Sequence, residues 1–168
     1  MFFAMFFEQA IVMTPSSLHA DLKNLLKAKL VEKVQGSVTQ KYGYVVCVIS
    51  VEDPSPGKVM NTSGDVLFNL KYKAVVMKPF VGEVADGVVE KVDRFGMRVS
   101  MGPVKVFISG GLLPSGYKFS PDKNIYESNE DEIKENSEVR FRINGVSFEG
   151  NEFHLTGTMK ENYLGLLR

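Results

Sequence analysis

The stretch Val88–Ser109, VVEKVDRFGMRVSMGPVKVFIS, decides how the rest of the chain is read. Apolar residues recur at short intervals, and Phe95-Gly96 and Gly102-Pro103 interrupt them at turn-forming pairs. Three strands follow from this pattern: Val84 to Val92, Met97 to Met101 and Val104 to Ile108. Further on, Val139 to Ile143 and Glu152 to Gly157 read as two more. Between the third and fourth runs a polar excursion from about Gly110 to Ser137 carries Glu127, Glu130, Asp131, Glu132 and Glu135, and is expected to be mobile or covered by a partner. Five short strands with a long connection after the third fit a small Greek-key barrel of the OB type.

Before Phe80 the pattern is different. Phe2 to Met13 reads as a strand with apolar residues on both faces, which needs cover on both sides, from its own domain or from a partner. Thr14-Pro15 then reads as a helix start, with Thr14 as N-cap and Pro15 at the first helical position. Leu18, Leu22, Leu25, Leu26, Leu30 and Val34 fall on one helical stripe, and Gly36 supplies the stop. Lys23, Lys27, Lys29 and Lys33 lie largely off that stripe and read as a solvated face. Ser37 to Val51 is β-rich, with Gly43 permitting a bend. The segments Glu52 to Gly57 and Asn61 to Asp65 are turns, and Val66 to Met77 is another strand. The fold class expected is therefore an α+β domain over residues 1–79, a small antiparallel sheet with one long helix. An all-β barrel over residues 80–168 follows it.

Composition narrows the function. With 44% apolar and 24% charged residues, the 168-residue chain has the make-up of a folded soluble protein. The apolar opening Met1–Phe7 has no basic flank, and Glu8 and Gln9 cut it short, so no signal sequence or membrane association is expected. The formal net charge is zero, so any nucleic-acid site must be a local patch. Cys47 is the one cysteine, which excludes an internal disulfide and a zinc knuckle; in its apolar strand it reads as a packing group. His19 reads as a surface residue and His154 as a barrel residue, neither with a second ligand at metal spacing. No Walker loop, nucleophile elbow or paired-carboxylate motif is present. The expectation is a non-enzyme without cofactor or metal.

Nucleic-acid binding is the more productive reading. Lys91, Arg94, Arg98 and Lys105 face a single acid, Asp93, in one short window. Phe95 lies within that window and Phe107 just beyond it. Aromatic rings beside cations are how OB barrels hold single strands, bases stacking while cations meet phosphates. The alternative is that both phenylalanines belong to the barrel core.

Those residues also carry a resemblance. Phe95-Gly96, Gly102 and Val106-Phe107-Ile108-Ser109 resemble the S1 RNA-binding domain. The likeness implies that Phe95 is the first stacking aromatic and that Phe107 stands where histidine is frequent. Arg98 replaces a second aromatic. Over nearly its whole length the chain resembles the family of the seventh subunit of eukaryotic RNA polymerase II and its archaeal counterpart. The likeness runs through Met1-Phe2-Phe3, Lys27-Ala28-Lys29-Leu30, Tyr42-Gly43-Tyr44, Lys71–Val76, Lys78-Pro79-Phe80, Gly102–Phe107 and Gly157–Gly165. Two segments depart from the pattern. Met13–Ser17 stands where Leu-His-Pro and aromatics are usual, and Gly110–Pro114 replaces a Lys/Ser-His-Leu segment.

The resemblance implies a nuclear, non-catalytic stalk subunit with a truncated ribonucleoprotein-like N-terminal domain and an S1/OB domain. It further implies a heterodimer with the fourth polymerase subunit, docking on the largest core subunits near the clamp, and weak contact of the barrel with single-stranded nascent RNA. RNA contact is expected at Lys91, Arg94, Phe95, Arg98, Lys105 and Phe107, and core docking at Pro54, Gly57, Asn61, Gly64 and Asp65. A stalk subunit of another nuclear polymerase, or a free-standing S1-domain RNA-binding factor, is the alternative.

Overall fold

A computed structural model describes every residue except His19, Ala20, Thr62, Glu130 and Arg168. The expectations for His19, for Thr62 in the second turn and for Glu130 in the acidic cluster lie outside the described residues. The chain forms two units, Phe2–Lys78 and Pro79–Arg168. Among the described residues no helix is long and apolar enough to cross a membrane.

The first unit comprises β1 (Phe2–Met13), α1 (Leu22–Val34), β2 (Val38–Thr39), β3 (Gly43–Val51), β4 (Lys58–Val59) and β5 (Val66–Met77). Its antiparallel sheet has the order β1-β5-β3-β2, with β4 also pairing β5. The central strand β5 alternates: Val66, Phe68, Leu70, Tyr72, Ala74 and Val76 are buried in the core that Leu26, Leu30 and Val34 of the helix share. Period-2 burial against period-3.6 burial is what a helix laid on one sheet face requires.

Two expectations for this unit are corrected. The helix does not start at Thr14: Pro15–Ser17 is a separate 3-10 turn, and α1 begins at Leu22. The Thr14 hydroxyl engages Ser16 and Ser17 side chains at 3.1 Å instead of a backbone N–H, so it caps nothing. Leu18 consequently leaves the stripe and is exposed. Cys47 is exposed as well, not packed. Irregularities on either side of it, between Val45 and Cys47 and between Val48 and Ser50, reset the alternation and turn it away from the helix, opposite Val75. The unit itself covers β1 on one face. Ile11 and Met13 are buried and Met5 and Phe7 pack on the core, while Phe2 and Phe6 remain exposed at 58% and 70%.

The second unit contains β6 (Val84–Asp93), β7 (Gly96–Met101), β8 (Val104–Ser109), β9 (Lys118–Ser120), β10 (Ile125–Glu127), β11 (Glu132–Ile133), β12 (Glu138–Glu149), β13 (Glu152–Thr158) and β14 (Gly165–Leu166). Five of them close a barrel in the order β12-β6-β7-β8-β13, with β13 returning to β12 and lying parallel to β8. A register shift between Ile143 and Gly145 lets β12 serve both neighbours, β6 before it and β13 after. Val99, Val106, Val139, Phe141 and Ile143 are fully buried inside. Full burial of one such side chain contributes about 1.5–3 kcal/mol. This is an α+β unit followed by an OB-type β unit.

The polar excursion is not a bare loop. Its residues form the small sheet β11-β10-β9, and Leu113, Ile125, Tyr126 and Ile133 are buried. Those four apolar residues are too irregularly spaced to show a period, and Tyr126 ties the segment to β6 through the 3.0 Å bond from its hydroxyl to the Asp93 carbonyl.

Candidate functional site

Every cation and ring expected to meet RNA lies at the barrel surface. Lys91, Arg94, Phe95, Arg98, Lys105 and Phe107 are all exposed. The alternative that the two phenylalanines are core is therefore excluded: Phe95 is 67% exposed and Phe107 40%. The core positions between them belong to Met97, Val99, Val106 and Ile108. Strand pairing explains the outward set. Lys91 lies opposite Arg98, Arg98 opposite Phe107 and Phe107 beside Thr156, forming one row across four strands. Residues in such a row share a face of the sheet.

Gly96 completes the aromatic corner. A Cβ there would collide with the Ile108 carbonyl oxygen and lie 2.9 Å from Phe107 Cζ, so its missing side chain is the seat of the Phe107 ring. Phe95, one residue earlier, stands out at the β6–β7 turn. The Arg94 guanidinium stacks on its ring, 4.4 Å from the centroid, within the range of a cation–π contact.

The electrostatics of the patch differ from the sequence count. Glu90 lay one residue outside the window, but a bulge in β6 between Val89 and Lys91 turns both Glu90 and Lys91 outward. Glu90 then meets the Lys105 ammonium at 2.8 Å, and Lys91 meets Asp93 at 3.4 Å. The hydrogen bond from Lys105 holds the Glu90 carboxyl below its ordinary range, helped by Ser100 and the charge of Arg98. Two of the four cations thus have acid partners and Arg94 is stacked. Among the described residues Arg98 forms no ion pair. His154 is exposed on the same outer surface of β13. Among the described residues, no three or more His, Cys, Asp or Glu side chains gather as a metal site.

The docking candidates lie in the β3–β4 and β4–β5 connections at one end of the first unit's sheet. Gly57 and Gly64 serve the fold. A Cβ on Gly57 would press on Val66 Cγ1 at 2.5 Å and on Phe68, and Gly64 turns the chain at φ +74°. Pro54 and Asp65 are half-buried and Asn61 is exposed. Lys23 ties the first connection to the helix through Asp53 at 2.9 Å, and that bond holds the Asp53 carboxyl low. What the sequence reading missed is apolar: Val59 and Met60, exposed at 61% and 41%, stand between the two turns, and Val12 is exposed on β1 nearby in register. An apolar pair flanked by turn signals was the available clue.

Residues 78–156 match the S1 RNA binding domain, and residues 11–64 match the SHS2 domain found in the N terminus of Rpb7p/Rpc25p/MJ0397. DNA-directed RNA polymerase II subunit RPB7 of Saccharomyces cerevisiae is 40% identical over 171 residues, covering 99% of this chain and 100% of that one. The RNA polymerase II subunit rpb7 of Schizosaccharomyces pombe is 37% identical, covering 94% of each. The RNA polymerase V subunit 7 of Arabidopsis thaliana is 31% identical over 93% of each.

Proposed function

Because the chain belongs to the family of RNA polymerase II subunit 7, we propose that it is the larger stalk subunit of a nuclear RNA polymerase II, without an active site of its own. In this role it forms a heterodimer with the fourth subunit, docks on the core through its first unit and holds emerging RNA weakly on its barrel. The observation that carries the RNA role is the exposed row of Lys91, Arg98 and Phe107, with Phe95 exposed at the β6–β7 turn. Rings that sit outside a barrel whose core is already filled contribute little to folding and are free to stack on bases.

The partner role is supported by apolar surface that the unit itself leaves uncovered. Phe2 and Phe6 are exposed on β1, whose outer edge pairs with no strand among the described residues. Val59 and Met60 crown the opposite end of the sheet. A long open edge beside exposed aromatics is a liability for an isolated protein and an interface in a complex. The pairing of Lys105 and Lys91 with acids favours modest affinity, about 10⁻⁴–10⁻⁶ M at physiological salt.

Two measurements test the reading. Mass spectrometry of proteins that co-purify with the C-terminally tagged chain from native nuclear extract should find the two largest polymerase subunits and a small helical partner. RNA-processing factors without polymerase would overturn it. In the assembled complex, joint Phe95→Ala and Phe107→Ala substitution should lower RNA crosslinking while sparing assembly; equal loss of both would refute the RNA role.

A further inference from the structure

A hollow of about 450 Å³ opens beside Phe95, lined by Asp93, Arg94, Phe95, Phe119 and Asn124. Volumes of about 300–1,000 Å³ are those that take small ligands. Its two sides come from different parts of the chain. Asp93 ends β6 and Arg94 and Phe95 form the β6–β7 turn, whereas Phe119 is in β9 and Asn124 in the β9–β10 turn, at φ +53°. The wall is built firmly. The Tyr126 hydroxyl donates to the Asp93 carbonyl at 3.0 Å, and the Phe119 ring packs on Tyr126 with centroids 5.4 Å apart. Gly110 leaves room for that hydroxyl, since a Cβ there would lie 2.7 Å from it. The excursion after β8 thus supplies a second side to the aromatic corner.

The chemistry of the lining points to a flat, polar-edged guest. Phenyl rings stand at both sides, and the polar groups are the Asp93 carboxylate, the Asn124 carboxamide and the Arg94 guanidinium, which lies on the Phe95 ring. Single-stranded RNA is read in this way, with unstacked bases held on aromatic faces and hydrogen-bonded along their Watson–Crick edges. The ionised Asp93 only accepts hydrogen bonds, whereas the Asn124 amide both donates and accepts. Lys91 approaches Asp93 Oδ1 at 3.4 Å, a long contact that engages one of about four lone-pair sites, so Oδ1 and Oδ2 both still accept. Among the four bases only guanine offers two neighbouring N–H donors, N1–H and the N2 amino group, with a carbonyl oxygen next to them. Uracil would turn carbonyl oxygens toward the carboxylate on both sides of its one N–H. Cytosine and adenine each set a single amino group beside an acceptor nitrogen.

We infer that this hollow is a base-recognising slot that selects guanine in single-stranded RNA, Asp93 accepting from N1–H and N2–H and Asn124 donating to O6. The inference rests on the RNA contact proposed above and adds a sequence preference to it. Guanine in the slot gives the barrel a preferred register on RNA, where stacking alone tolerates every base.

The test uses the full-length chain and four fluorescein-labelled RNA octamers: all-uridine, and the same with one central guanosine, cytidine or adenosine. Bidentate recognition is worth about 1–3 kcal/mol of discrimination, a factor of about 5–150. Anisotropy should therefore show the guanosine octamer binding at least about fivefold tighter than the others. Asp93→Asn also frees Lys91, so its effect is read as the ratio of guanosine to all-uridine affinity within the variant. That ratio should fall below about twofold with the circular dichroism spectrum unchanged. Phe119→Ala should reduce it also. Equal affinity for all four octamers, or a preference for cytidine or adenosine, overturns the slot and leaves RNA contact standing. If none of the four octamers binds, the RNA contact itself is refuted and the slot with it.

Discussion

Truncating Phe95 to alanine separates a ring that serves RNA from one that serves the fold. The ring is 67% exposed, and the Arg94 guanidinium stacks on it at 4.4 Å. Surface changes of this kind move stability by no more than about 0.5 kcal/mol. For a domain of this unit's size that is a shift of about 2–4 °C in Tm. With Arg94 on one face, one base is expected to stack on the other. Stacking of one base is worth about 1–3 kcal/mol, and about 1.4 kcal/mol is tenfold in affinity. At an exposed ring the lower half of that range applies, so Kd for an all-uridine octamer should weaken by about tenfold. The assay is anisotropy at fixed salt, with thermal unfolding of the same samples followed by circular dichroism. Phe141→Ala is the contrasting variant: Phe141 is fully buried, and its loss should cost about 3–5 kcal/mol. Binding by Phe95→Ala within twofold of the parent would refute the stacking role. A fall in its Tm comparable to that of Phe141→Ala would refute the surface assignment.

Gly96→Ala should destabilise the second unit by more than about 1 kcal/mol, because its Cβ would strike the Ile108 carbonyl and displace Phe107; denaturant unfolding measures it. Glu90→Gln should release Lys105 for a phosphate. RNA binding would then tighten at low salt, and its log–log salt slope would steepen by about 0.7 between about 50 and 200 mM; an unchanged slope would mean Lys105 does not reach RNA. Arg140 grips both oxygens of Asp86 at 2.6 and 2.8 Å and holds that carboxyl below its ordinary value. A depressed folded-state pKa stabilises above the unfolded value and ceases to do so as pH falls through the folded one. The Tm advantage of the parent over Arg140→Met should therefore persist above about pH 4 and vanish under more acid conditions.

Much of the architecture was legible because it is written in periods. The alternation of Val66 to Met77, the runs around Phe95-Gly96 and the helical stripe from Leu22 to Val34 each repeat at the spacing of their element, and the structure follows them. Aromatic and basic residues close together in sequence also marked one face of the barrel. Where the period fails, the reading failed. Thr14-Pro15 carried a helix-start pattern, but Thr14 bonds to neighbouring hydroxyls, a competition that composition does not reveal. The excursion from Gly110 to Ser137 looked unstructured because its four buried residues are spread without rhythm.

Sequence by itself determined that this chain holds strands, one helix and an OB-type barrel, because side-chain periodicity is a local property of each element. Tertiary structure alone decided which face each residue takes and whom it meets. One extra residue in a strand reverses every side chain beyond it. The bulge at Glu90 sets an acid against Lys105, and the irregularities around Cys47 expose a thiol that its apolar neighbours seemed to enclose. The hollow at Phe95 depends on Phe119 and Asn124, which reach it through the bond from Tyr126 to Asp93 across 33 residues of chain. Contacts of that separation are formed by packing, and no local pattern encodes them.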